Sequence, residues 1–390
     1  MPTDKKFTRR DLALTAALFA QAGKAVAAAA DEGHKYTGPL DGFENKVRMQ
    51  NFDPVAWTLD RHKTAPMKMT FKAVNKRQAE SWQKSFRAKV VELVGGFPET
   101  RIPLAPQTLD VADFPDYRRE RFVIETRPGM MLLGVLITPK KASGPLPTVI
   151  CVPGHGRGLD DVIGVDENGK TISSEKNIYH DFALQVVRQG QAAVAIENMA
   201  FGCRRDAKAI AKSLGGSVCQ PTAGAALLLG ETMVGWRVYD VMRTIDWIAT
   251  RPELDAKRIG CMGLSGGGTV TLFSAALDTR IKAAFVSGYL NTFRDCIMSV
   301  SHCIDNYVPG ILNWGEMYDV AGLIAPRPFF AESGERDPIF PLKGFLEGFA
   351  QVQSRYAVFG AKDETGSEVH GGAHEFSGKQ GLPWLKGRLG

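Results

Sequence analysis

Gly263-Leu264-Ser265-Gly266-Gly267-Gly268 is the segment of this chain whose residue types best suit covalent chemistry. A serine hydroxyl is a weak nucleophile unless a base stands beside it and developing negative charge is stabilised nearby. G-x-S-x-G achieves this where an apolar strand enters the motif and a helix leaves it. Arg258–Gly263 reads as such a strand and Thr269–Leu277 as such a helix. Glycines suit a turn too tight for side chains, and the helix N-terminus that follows favours negative charge. Ser265 is the candidate nucleophile; the competing reading is a glycine-rich packing turn with an inert serine.

The base must be a histidine, and the chain has seven. For a G-x-S-x-G turn between strand and helix, the catalytic order is Ser, then Asp or Glu, then His. That order leaves His370 and His374. The strand-like Glu368–His370 holds the first, whereas Gly371-Gly372-Ala373-His374-Glu375-Phe376 puts the second on a glycine loop that can reach a nucleophile. His374 is the expected base. Asp337, in Glu335-Arg336-Asp337-Pro338 after an apolar strand, is the expected acid that orients it. Glu335 is the alternative, and Glu332 falls inside the strand. Two backbone donors are needed for the oxyanion. The Gly266 N–H is one; the Arg157 N–H, in His155-Gly156-Arg157-Gly158, is the expected second, with Gly156 as alternative. His155 is expected to brace this loop. No cofactor and no metal is expected, since H-G-G-A-H lacks the helical spacing of a histidine metal pair.

These groups need a scaffold. Residues 70–94 have helical apolar spacing, ending at Gly95-Gly96. Arg121–Thr126 and Met130–Thr138 flank Pro128-Gly129 as a hairpin. Then strands and helices alternate: strand Thr148–Val152, helix Asp181–Arg188, strand Ala192–Ile196, a helix from Glu231 to Thr250, and strands at Arg258–Gly263, Ala283–Val286 and Pro328–Ala331. This predicts an α/β fold: a mostly parallel central sheet with antiparallel N-terminal strands, helices on both faces and a helical N-terminal extension. Residues 31–115 are the expected extension and 116–390 the catalytic domain. Chemistry then gathers at strand carboxyl ends. Two connections are long, 156–177 and 287–315. The second is expected to wall the substrate pocket, with Tyr289 and Trp314 as contacts.

The 390 residues are 44% hydrophobic, enough for a large core, and no apolar run is long enough to span a membrane. The net charge of +6 includes five bases and two acids within residues 1–30, so the remainder carries only +3 and gives no case for nucleic acid as a partner. Residues 1–30 have a basic start, a short apolar stretch and an Ala-rich end, the layout of a secretory signal. Thr8-Arg9-Arg10-Asp11-Leu12 resembles the twin-arginine motif, which predicts a periplasmic or secreted protein. The six cysteines contain no CxxC. In an oxidising compartment their spacing allows Cys203–Cys219 and Cys296–Cys303 bridges.

With these residues in place the chain resembles the α/β-hydrolase superfamily. In particular it is similar to the acetylxylan-esterase/dienelactone-hydrolase-like group and to the catalytic domains of prolyl-oligopeptidase-type enzymes. The likeness rests on Arg258-Ile259-Gly260 through Gly268, Ala283–Gly288, Ala325-Pro326-Arg327-Pro328 and Asp337, across residues 116–385. It departs from the pattern where Cys203 follows Phe201-Gly202 and where Glu375-Phe376 follows His374. The resemblance implies a serine esterase acting through an acyl-enzyme on a small-molecule or glycan ester. Two other readings stand beside it: a prolyl-oligopeptidase-like peptidase, though residues 31–115 are too few for the β-propeller that gates such enzymes, and a catalytically silent binding protein.

Overall fold

In the computed structural model, the described residues are 38–40, 43, 46–141, 144–171, 177–213 and 215–390, so the expected signal at 1–30 lies outside them. They fall into two compact units, one ending at Thr58 and the other running Leu59–Gly390. In the first, the Asp53 side chain caps a helix start by accepting from the Val55 and Ala56 amides. Everything below concerns the second.

Nine strands pair into one sheet: β1 (Gln107–Asp113), β2 (Tyr117–Arg127), β3 (Met130–Pro139), β4 (Leu146–Val152), β5 (Ala192–Ile196), β6 (Leu254–Leu264), β7 (Ile281–Ser287), β8 (Phe329–Gly334) and β9 (Thr365–His370). Their spatial order is β1-β2-β3-β5-β4-β6-β7-β8-β9. Pairings from β1 to β3, and of β3 with β5, are antiparallel. All the others are parallel. The expected fold class is the one observed, with the Pro128-Gly129 turn joining β2 to β3.

Successive strand residues point to opposite faces, and here both faces are covered. In β5, Ala192, Val194 and Ile196 join one core cluster, while Ala193 and Ala195 join the other. That is why β4 and β5 read as unbroken apolar runs rather than alternating ones. The first face carries helices α1 (Lys76–Leu93), α2 (Met233–Ile248), α3 (Gly266–Leu277), α4 (Met317–Gly322) and α5 (Leu342–Val358). Phe86 and Val90 of α1 are buried in that cluster. Phe122 stacks on Trp247 there with ring centres 3.7 Å apart. The second face carries the helices Phe182–Arg188 and Gly381–Leu389, through Phe182, Val186, Leu382 and Leu385; fully burying each such side chain contributes about 1.5–3 kcal/mol.

One strand was not foreseen. β1 is paired only with β2 and has no buried residue, so it offers no hydrophobic alternation to read. Among the described residues no helix is long and apolar enough to cross a membrane.

Candidate active site

Ser265 stands between β6, near the middle of the sheet, and the first turn of α3. Its backbone has φ 60° and ψ −122°, a conformation that costs a residue with a Cβ about 1–3 kcal/mol. The surroundings enforce it. The Ser265 N–H donates to Ser287 O at 3.0 Å, and its carbonyl accepts from Thr269 N at 2.9 Å. The turn also lies against β4: a Cβ on Gly267 would stand 2.0 Å from Val152 O. Only glycine fits there, and the serine side chain is left at the cavity surface.

Asp337 and His374 come from the carboxyl ends of β8 and β9. His374 Nδ1 lies 2.6 Å from Asp337 Oδ2, the bond in which the ring N–H donates to the carboxylate and fixes the tautomer. Asp337 is buried, and its other oxygen accepts from the Ile339 and Phe340 amides at 2.8 and 3.0 Å. The Phe340 ring stacks on the His374 ring at 5.5 Å. His374 Nε2, the atom that would serve Ser265, is buried with no hydrogen-bond partner among the described residues. The alternatives fare differently: Glu335 is exposed, and His370 Nδ1 accepts the Gly372 N–H at 3.2 Å as a turn brace.

The loops carrying Asp337 and His374 are locked together. Glu335 N donates to His370 O at 2.8 Å and Arg336 N to Gly372 O at 3.0 Å. A Cβ on Gly334 would meet Ala373 O at 1.9 Å. Behind them lies Glu332, buried at the end of β8. It accepts from the Ser287 hydroxyl and from the Ser377 and Gly378 amides. Burial outweighs those bonds and raises its carboxyl to about 7.

Arg157 does not present its amide to this site. Its N–H already donates to Asp161 Oδ2 at 2.8 Å, and its guanidinium Nε reaches Asp161 Oδ1 at 2.9 Å; the residue lines a separate surface cavity with Asp160 and Asp166. This corrects the sequence expectation. The segment that faces the elbow lies two residues earlier. A Cβ on Gly154 would be 3.0 Å from Ser265 Cβ, and one on Gly266 would be 3.4 Å from His155 Nδ1. The Tyr179 hydroxyl holds this loop by donating to His155 O at 2.7 Å.

Ser265, His374, His155, His302, Cys303 and Ile339 share the walls of one cavity of about 320 Å³. Tyr289 is not on it: the residue is fully buried and packs edge-on against Phe340. Trp314 turns the other way, with Lys89 Nζ 4.3 Å above its ring. The long loop thus does wall the cavity, but through residues 300–303. Sequence reasoning missed His302, whose two ring nitrogens are buried without partners among the described residues. Burial lowers its pKa to about 4, so the ring is neutral at pH 7. Position 302 had no motif around it to draw attention.

A mixed sheet of this order, a strained serine between a parallel strand and a helix, and an aspartate–histidine pair at the next strand ends define an α/β-hydrolase. The chain belongs to the Abhydrolase family, whose model matches residues 56–343 and so includes Ser265 and Asp337. It is 26% identical over 286 residues to YtaP of Bacillus subtilis (strain 168), across 71% of this chain and 89% of that one. Two solved structures share the fold. One, described as an acetyl xylan esterase from Bacteroides fragilis NCTC 9343, has TM-score 0.72 at 19% identity, over 86% of this chain and 94% of that one. A glucuronoyl esterase from Solibacter usitatus has TM-score 0.62 at 16% identity, over 83% and 97%.

Proposed function

We propose that the protein is an exported serine esterase that cleaves carboxylic esters, with a carbohydrate-linked acyl ester as substrate. The observation that carries this reading is the 2.6 Å His374–Asp337 bond beside a cavity that His374 shares with Ser265. Ser265 Oγ attacks the ester carbonyl while His374 Nε2 takes its proton. Asp337 holds the ring and stabilises the imidazolium. The alcohol leaves with that proton. Water, activated by the same nitrogen, then releases the acid and regenerates Ser265.

The oxyanion would accept from the Gly266 N–H, at the first turn of α3 where amides have no intrahelical partner, and from the His155 N–H across the turn. Esterase neighbours of the same fold, one described as an acetyl xylan esterase and another as a glucuronoyl esterase, support the substrate class. The cavity walls are mostly apolar, through Ile178, Val300, Pro338 and Ile339, and carry polar groups at Ser301 and His302; that mix suits the acyl part of an ester beside a hydroxylated alcohol. The leader read from residues 1–30 supports export.

The test is turnover of p-nitrophenyl acetate together with labelling by a fluorophosphonate. Hydrolysis and a single adduct on Ser265 are expected. No adduct and no turnover would favour the silent binding protein. Cleavage of aminoacyl-prolyl anilides in preference to esters would favour the peptidase.

A further inference from the structure

Behind the cavity wall lies a second cluster of reactive side chains that ester hydrolysis does not use. His155, Cys219, Cys303 and Asp305 bring one nitrogen, two sulfurs and one oxygen within 4.8 Å of one another. Cys219 Sγ lies 3.3 Å from Asp305 Oδ2 and 3.6 Å from His155 Nε2. His155 Nε2 is 3.4 Å from the same Asp305 oxygen. The two cysteines come from different parts of the chain. Cys219 is buried at the start of helix Gln220–Leu228, and Cys303 is half-buried on the cavity wall.

Four such ligands could suggest a bound cation, but the position is already filled by one. The buried Arg237 guanidinium donates to Asp305 Oδ2 at 2.6 Å and lies 3.6 Å from Cys219 Sγ. It also donates to Met199 O and covers the Phe201 ring at 4.4 Å. A second positive charge there would face that guanidinium at contact distance, with little water to screen it. With the cation position taken, the two thiols are the reactive groups that the cluster leaves over.

We propose that Cys219 and Cys303 form a reversible dithiol–disulfide pair whose oxidation ties the cavity wall to the helix behind it. Cys303 is the attacking sulfur. It stands half-buried on the cavity wall, open to an oxidant, whereas Cys219 is buried; its neighbours Cys219 and His155 hold its thiol below the ordinary range, and Cys303 and burial raise Cys219. The oxidant is a low-molecular-weight disulfide such as oxidised glutathione. The Cys303 thiolate attacks one of its sulfurs, and a glutathione thiolate leaves and takes up the proton Cys303 had lost. Cys219 then gives up its proton, attacks the Cys303 sulfur of the mixed disulfide and expels the second glutathione. Two protein thiols are oxidised and one oxidised glutathione is reduced to two thiols.

The bond would act on the cavity because the cluster is joined to the nucleophile turn. Asn306 donates to Asp305 Oδ1 at 2.8 Å and accepts from Thr269 Oγ1 at 2.6 Å, and Thr269 N is bonded to Ser265 O. A disulfide sulfur separation of about 2.05 Å requires the two sulfurs, within 4.8 Å of one another, to close up, which draws the wall and the helix behind it together.

The test equilibrates the intact protein in glutathione buffers of increasing oxidation, traps free thiols with iodoacetamide and maps non-reduced peptides by mass spectrometry. A Cys219–Cys303 cross-link is expected to rise with oxidation and to vanish in Cys303→Ser, with Tm higher by a few degrees in the oxidised protein. KM for p-nitrophenyl acetate should change at least about threefold between the two forms, with kcat within about twofold, because neither sulfur belongs to the triad. Full alkylation of both thiols in the most oxidising buffer overturns the proposal. So does a Cys203–Cys219 or Cys296–Cys303 bridge, or stoichiometric Zn²⁺ binding to the reduced protein that is lost in Cys303→Ser. Equal KM in both forms overturns the action on the cavity. The mass readout does not depend on esterase activity, so failure of the hydrolytic reading would leave it intact.

Discussion

The nucleophile turn and the cavity wall meet at the same cavity but are held by opposite means. At the turn, Ser265 is fixed by backbone: two main-chain hydrogen bonds and the contact between Gly267 and Val152. At the wall, position is fixed by buried charge. Arg237, Asp305, His155 and two cysteines converge from four separate stretches of chain. The turn therefore concentrates its sensitivity in chemistry. The wall concentrates its sensitivity in stability, because removing one partner of a buried ion pair leaves the other uncompensated.

That contrast is testable, beginning where the effect is largest. Ser265→Ala should lower kcat/KM on p-nitrophenyl acetate by about 10⁴-fold or more while leaving the urea midpoint unchanged. His374→Ala should approach the same loss, whereas His370→Ala stays within about threefold; a dead His370→Ala would move the base to that residue. Arg237→Met is the mirror case. It should cost about 3–5 kcal/mol in urea unfolding and reduce kcat far less than the triad variants do. An unchanged urea midpoint would show that the wall is not held by this pair.

Gly334→Ala tests a site where both sensitivities meet. The new methyl must displace Ala373 O, so a loss of about 10–100-fold in kcat/KM should accompany a lower Tm. The last test is a pH slope. Folded Glu332 holds its proton up to about 7, above the ordinary 4.5. Its contribution is complete below pH 4.5 and is lost as pH rises toward 7, since the unfolded chain ionises first. The unfolding free energy of the wild type should fall across that window by on the order of 3 kcal/mol, and Glu332→Gln should remove most of that fall.

The same contrast explains what could be read from the amino acids. The turn was legible because its constraint is local: G-x-S-x-G after an apolar run already states the close contact that the structure shows. That His374 and Asp337 would come together was legible through chain order and strand ends, and the fold class through alternation of elements. Arg157 was misplaced as a donor because its acceptor, Asp161, lies one short turn onward and takes up the amide within the loop itself. Tyr289 and Trp314 were expected on the cavity because they lie in the right loop. Which way each faces is decided by Phe340 for one and Lys89 for the other, and neither partner adjoins them in sequence. The cysteines were grouped by spacing along the chain, whereas the fold brings Cys219 to Cys303 through Arg237 and Asp305. Charge networks leave no periodic trace, so the wall had to be seen.

The contact between Gly334 and Ala373 has one more consequence. Because the main chain of one arm rests directly on that of the other, the carboxylate and the imidazole share a common frame of reference: they can shift against the serine, but hardly against each other. Lesions on either arm would then report a single displacement twice, and the double variant would fall short of the sum of its parts.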